Sequence, residues 1–153
     1  MNMHIFLGSL FYTGYLPKAP GTWASLACLV PINVLALYAG FWGLLGLLAV
    51  SCLVTFITTP EFERVHGKDP SPMVTDEVAG QSLTFLFIPF TGTSIDLLLL
   101  TIGFILFRLF DVYKPLGINK VQNLKGAGGV LLDDLIAGLY AYFCLNFIIL
   151  LAL

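Results

Sequence analysis

At 153 residues, 58% of them hydrophobic and only 10% charged, with a mean hydropathy of +0.94, the chain is far too apolar for a water-soluble domain, which carries about 25% charge. Seven basic against nine acidic residues leave no basic excess, so no nucleic-acid partner is expected. The composition fits a single integral-membrane domain over residues 1–153, with membrane lipids as its solvent.

In chain order, the first 17 residues hold no Lys or Arg, so the basic start of a secretory signal is missing. In "LPKAPGTWASL", Pro20 and Gly21 predict a turn. Thr22 caps the first span or reaches a ligand with its hydroxyl, Lys18 contacts a phosphate or a headgroup, and Trp23 sits at interface depth. The apolar runs Ala24–Gly40 and Phe41–Thr59 approach the roughly 20 residues that cross about 30 Å of hydrocarbon. Pro31 should kink the first, a turn near Gly40 should join the two, and Pro60 should close the second. "DPSP" (Asp69–Pro72) reads as a loop, and Thr75 as the cap of the next helix. Val78–Phe90 and Ile95–Phe107 are shorter, so they are tilted, re-entrant or packed inside; Leu135–Leu153 again has spanning length. The expected fold is all-α, a polytopic integral membrane helical bundle of four to five transmembrane or half-membrane helices. Cys28, Cys52 and Cys144 lie singly in apolar runs and read as small hydrophobes. His4 and His66 lack a ligand partner at useful spacing and read as surface residues.

Threading five segments through a membrane puts residues 1–23, 60–77 and 108–134 on one side. All seven basic residues (Lys18, Arg64, Lys68, Arg108, Lys114, Lys120, Lys125) fall there, with eight of the nine acids; Asp96 is the exception. The positive-inside rule makes that face, which would carry the polar site, cytoplasmic.

Two acidic stretches echo each other: "TDEVAG" and "LDDLIAG". Each opens an apolar helix, and adjacent helical residues diverge by about 100°, so one acid of each pair can face a neighbour. Ala79 and Gly80, like Ala137 and Gly138, permit close helix approach. Packed together, the two helices would gather Asp76, Glu77, Asp133 and Asp134. Four carboxylates repel unless a cation sits among them, and hard oxygen donors suit Mg²⁺ or Mn²⁺. The plainer alternative is acids at helix starts, facing the dipole and water. Between the pairs, "FRLFDVYKPLGINK" spaces Arg108, Asp111 and Lys114 three apart, near neighbours on a helix. Arg and Lys offer a phosphate a bidentate fork and a point charge; otherwise both snorkel to headgroups with Asp111 between them. Lys120 and Lys125 read as headgroup attraction. "KGAGG" is no Walker A loop, though it can present backbone N–H groups at a helix start.

Taken together and in order, "APGTWASL", "TDEVAG", "FRLFDVYKP" and "LKGAGGVLLDDLIAGLYA" resemble the phosphatidylglycerophosphatase A family, from Lys18 to about Tyr142. The resemblance implies a Mg²⁺-dependent enzyme of the bacterial inner membrane that removes the terminal phosphate of phosphatidylglycerophosphate, its phospholipid substrate, to leave phosphatidylglycerol. It marks Asp76, Glu77, Arg108, Asp111, Lys114, Asp133 and Asp134 as the site, with Pro20, Gly21 and Thr22 in the amino-terminal motif. The glycine run departs from the family pattern at Ala127 and Gly128, and Leu131 stands where Met is common. Elimination points the same way. Arg spaced six from a Cys, a Pro-Ser-Gly-His run and the Asp-Gly-x-x-Ala-Arg motif are all absent, which leaves metal-assisted hydrolysis.

The expected site therefore has Asp76, Glu77, Asp133 and Asp134 as Mg²⁺ ligands and catalytic acids. Arg108 and Lys114, with Lys18 and Thr22, hold the phosphate. Asp111 is an orienter, a ligand or the general base. Water attacks phosphorus in line; an aspartyl-phosphate route is the variant. A rival from another class is a small transporter or ion-binding membrane protein. Relay acids tend toward mid-span, however, and these sit at helix ends.

Overall fold

The computed structural model describes residues 2–68, 70–115, 118–121 and 126–152, without the side chains of residues 119, 120 and 152. Asp69, Lys125 and the Lys120 side chain thus lie outside the described residues. All regular structure among those described is helical: α1 (Met3–Gly8), a 3₁₀ turn (Thr13–Tyr15), α2 (Pro20–Ala27), α3 (Leu29–His66), α4 (Thr75–Phe85), α5 (Ser94–Tyr113), α6 (Ile118–Val121) and α7 (Ala127–Ala152).

Prolines and one glycine articulate the first half. Pro20 opens α2 at its first position, where its missing N–H costs nothing. The ring of Pro31 would clash with the carbonyl four residues back, and α2 ends there, at Ala27. The expected kink is therefore a break at Cys28, with Pro31 in the first turn of α3. Gly40 interrupts α3 with φ 56° and ψ −141°, a conformation open in practice only to glycine. The chain doubles back there: Cys28 and Pro31 share a groove wall with Leu47 and Ser51. The turn expected at Gly40 is present.

Two boundary expectations are corrected. Pro60 does not close the second segment; α3 runs on to His66 and ends at Gly67, φ 85°. Pro60 removes one helical hydrogen bond, while packing carries the helix onward: Phe62 is fully buried, and Gly8 of α1 lies against Phe62 and Thr58. Nor does Thr75 cap α4. Val74 holds the cap position, and the Thr75 hydroxyl accepts from Thr55 Oγ1 at 3.0 Å. Cys28 is buried and the other two cysteines partly so, all three free. His4 and His66 lie at the surface, His66 beside the Tyr15 hydroxyl.

α4 is the central element. It packs on α3, α7, α2 and α5, and nine of its 11 residues are buried. At 1.5 Å per residue it is about 16 Å long, too short to cross a bilayer. Phe85, at its end, fills the space over Gly103 of α5 and Leu145 of α7. At that far end the Gly40 turn meets the segment after α4, with the Phe41 and Phe87 rings 5.3 Å apart. Asp96 also lies there, buried in the first turn of α5, accepting from the Thr91 and Gly92 backbone N–H groups and the Thr91 hydroxyl. Two helical stretches, Pro20–His66 and Ala127–Leu151, are long and apolar enough to cross a membrane.

Candidate active site

At the other end of the bundle α4 and α7 run side by side in the same direction. A Cβ on Gly80 would stand 2.5 Å from the Asp134 carbonyl oxygen, and one on Gly138 would run into the Gly80 carbonyl. Only backbone separates the helices, as the small residues of the two echoing stretches predicted. The contact draws both acid pairs to one level. Asp76 and Glu77 from α4, and Asp133 and Asp134 from α7, line one cavity of about 240 Å³. Arg108, Asp111 and Lys114, from the end of α5, line it too.

These seven predicted residues meet; two others do not. Lys18 is exposed and Thr22 lies inside α2, and neither lines the cavity. Thr22 does not cap α2 either, because Ala19 holds that position. Lys18 and Ala19 adopt left-handed backbone, φ 63° and 51°, which swings Pro20 and Gly21 onto the cavity wall.

The polar contacts are dense. Arg108 Nη1 lies 2.6 Å from Asp111 Oδ2 and 3.4 Å from both Glu77 Oε1 and Ser25 Oγ. Lys114 Nζ donates to Asp133 Oδ2. Asp76, Asp133 and Asp134 are all buried. Burial pushes the Glu77 carboxyl up to about 8, Asp111 and Asp133 adding to the rise and Arg108 pulling against it. Asp76 is likewise raised well above the carboxylate range by burial, then by Glu77 and Asp133. Burial alone would lower Lys114, but the Asp133 hydrogen bond and the charges of Asp133, Asp111 and Asp134 outweigh it and hold the ammonium above its ordinary value.

Five carboxyl groups thus face two cations across one small cavity. Among the buried atoms of the cavity lining without a hydrogen-bond partner among the described residues are Asp76 Oδ1, Glu77 Oε2 and Arg108 Nε. The first two are spare acceptors for a cation and the third is a spare donor for an anion. In donor chemistry the residues fit a hard divalent ion. Among the described residues no three ligating side chains already converge on one point, so the fit is to an ion held by one or two carboxylates and completed by water and phosphate oxygens.

Sequence reasoning missed Ser25, whose only signal was a small polar residue one helical turn after Gly21. It also missed what Gly21 does: a Cβ there would overlap the Glu77 carboxylate.

Fold and pocket together define a class, a strongly apolar all-helical protein enclosing carboxylates and cations at one end of its bundle. Comparison with known proteins makes this specific. The phosphatidylglycerophosphatase A family model matches residues 6–149; the chain belongs to that family and is an enzyme, a phosphatase. It is 32% identical over 147 residues to a Bacteroides thetaiotaomicron protein provisionally named phosphatidylinositol-3-phosphatase, covering 90% of this chain and 88% of the relative. The Escherichia coli phosphatidylglycerophosphatase A is 29% identical over 141 residues, 90% and 78% of the two chains. The Haemophilus influenzae protein of that name is 30% identical over 141 residues, 86% and 79%. No solved structure matches the chain. The family resemblance expected from the four motifs is borne out, and the transporter reading gives way to an enzyme.

Proposed function

We propose that the chain hydrolyses the terminal phosphate monoester of phosphatidylglycerophosphate, yielding phosphatidylglycerol and inorganic phosphate, with water as nucleophile and Mg²⁺ required. One observation carries the reading: both acid pairs and the Arg108–Lys114 cations open onto the same buried cavity.

Asp76, Glu77, Asp133 and Asp134 would hold the ion, which when bound supplies positive charge to phosphate oxygens and makes water a stronger nucleophile at neutral pH. Arg108, fixed by Asp111, Glu77 and Ser25, retains its Nε–H to donate to the phosphoryl group. Lys114 adds a point charge, and such charges preorganised away from water stabilise the transition state. Asp111 serves chiefly to orient Arg108. Lys18 and Thr22 lie off the cavity, and the exposed Lys18 serves headgroup contact.

The same reading makes the chain a single domain of the bacterial inner membrane, with four to five transmembrane or half-membrane helices and the pocket facing the cytoplasm. Its supports are the two long apolar stretches, the doubling back at Gly40, the described basic residues Arg64, Lys68, Arg108 and Lys114 at the pocket's end, and exposed large apolar side chains such as Tyr38, Trp42 and Leu150, 75–87% exposed, a pattern that marks a lipid-facing surface.

Phosphate release from detergent-solubilised phosphatidylglycerophosphate, with and without EDTA, tests the proposal. EDTA should abolish release and added Mg²⁺ restore it; release indifferent to EDTA would remove the metal. The stereochemical course on a substrate with an isotopically chiral phosphate separates direct attack, one displacement that inverts phosphorus, from an aspartyl-phosphate route, two displacements that retain its configuration. A second reading, hydrolysis of a phosphatidylinositol phosphate, is favoured by the name of the B. thetaiotaomicron relative. The ratio of kcat/KM values on the two lipids decides between them.

A further inference from the structure

We propose that an apolar groove, on the other side of the first turn of α4 from the acid pocket, seats an acyl chain of the phospholipid substrate. This rests on the lipid-phosphatase reading above. The groove holds about 450 Å³ and its wall is almost wholly hydrocarbon, with Leu10, Cys28, Pro31, Leu47, Val50 and Val78 among its residues. That volume is in the range of small-ligand sites, about 300–1,000 Å³.

Its place in the fold identifies the occupant. Thr75 and Val78 line the groove, while Asp76 and Glu77 between them line the acid pocket. Residues three apart share one side of a helix, so a single helical turn divides a polar compartment from an apolar one. A helix with its side chains is about 10–12 Å across, so the two compartments lie roughly one helix width apart. A phosphate enclosed among carboxylates and cations demands a molecule that keeps its chains out of water close by, and the groove offers that surface.

The direction fits as well. From Val54 to Leu47 the α3 wall runs about 10 Å at 1.5 Å per residue, away from the acid end and toward the Gly40 turn, as a chain descends from headgroup into hydrocarbon. Val50 and Phe11, at 57% and 63% exposure, leave the groove open along one side, so a chain enters laterally. The outer wall is also unusual. Leu10, Phe11 and Tyr12 are all left-handed, φ 47°, 56° and 67°, and runs of such strain in non-glycine residues concentrate at ligand clamps and active sites.

Two readouts test the groove. In mixed micelles the unaltered protein should prefer dioleoyl over dihexanoyl phosphatidylglycerophosphate. Leu47→Trp and Val50→Trp, which fill the groove from α3, should shrink that preference about tenfold, chiefly through KM for the long-chain lipid. Leu150→Trp, at an exposed position near the other end of α7, should keep it. A preference untouched by both groove variants overturns the proposal. Second, a long-chain phosphatidylglycerophosphate with a mid-chain diazirine, photolysed with the unaltered protein, should label the Leu47–Val54 face and Leu10–Phe11. Labels spread evenly over exposed residues such as Phe143 and Leu150 mean ordinary surrounding lipid and overturn it. Labelling needs binding and no turnover. Groove labelling without hydrolysis therefore refutes the phosphatase reading alone, and hydrolysis with diffuse labelling refutes the groove alone.

Discussion

Glu77 is gripped from two sides. Arg108 Nη1 reaches its Oε1 at 3.4 Å, and the backbone of Gly21 presses so close that no side chain fits between. Gly21→Ala should therefore displace the carboxylate while leaving α2 helical. A misplacement of about 1 Å can cost roughly 10²-fold in rate, so kcat should fall by about that factor in protein that still purifies as a single species. Asp76→Asn and Asp134→Asn keep shape and remove charge from opposite helices. Each should lower turnover by at least about 10²-fold, the cost of deleting one well-placed electrostatic partner, with membrane insertion unchanged on fractionation. Near-normal rates in either would mean that the acids serve only the fold. Arg108 cannot be exchanged for Lys without loss, because Nη1 holds Asp111, Glu77 and Ser25 while Nε stays spare for an anion, and an ammonium has one nitrogen for both tasks.

Among the elements, α3 carries a sharp contrast between two glycines with open space around them. Gly40 is bent to φ 56° and ψ −141°, where a side chain costs of the order of 1–3 kcal/mol. Gly46 lies within the helix, where Ala is better by about 0.5–1 kcal/mol. Gly40→Ala should thus lower the thermal midpoint in detergent and Gly46→Ala raise it. Equal effects would mean that the turn is not set by backbone conformation. What could be read in advance follows the same physics. The turn at Gly40 and the α4–α7 approach at Gly80 and Gly138 were legible because glycine in an apolar run has few other uses. The meeting of the acid pairs followed from that approach. The course through Pro60 was not legible, since a proline reads locally as a stop and only the buried Phe62 and the α1 contact carry the helix on. Thr75 looked like a cap because its hydroxyl's partner, Thr55, is distant in sequence. The N-terminal segment was opaque for a related reason: Leu10, Phe11 and Tyr12 are residues that normally avoid the left-handed region.

At the scale of the whole molecule, the proposal that the pocket end faces the cytoplasm makes a direct prediction. In a background with Cys28, Cys52 and Cys144 replaced, Tyr38→Cys, beside the Gly40 turn and 87% exposed, should react with a membrane-impermeant maleimide on intact spheroplasts. Lys68→Cys, exposed just beyond α3, should react only after the membrane is opened. The reverse pattern would turn the protein over. The Asp96 cap bears on how such a chain is threaded into place. Its carboxylate is already wrapped by donors from Thr91 and Gly92, so the one acidic group on the advancing tip travels within a local ring of its own partners. On the proposed topology, a hairpin that carries its own solvation in this way meets a smaller barrier on entering hydrocarbon than a bare charge would.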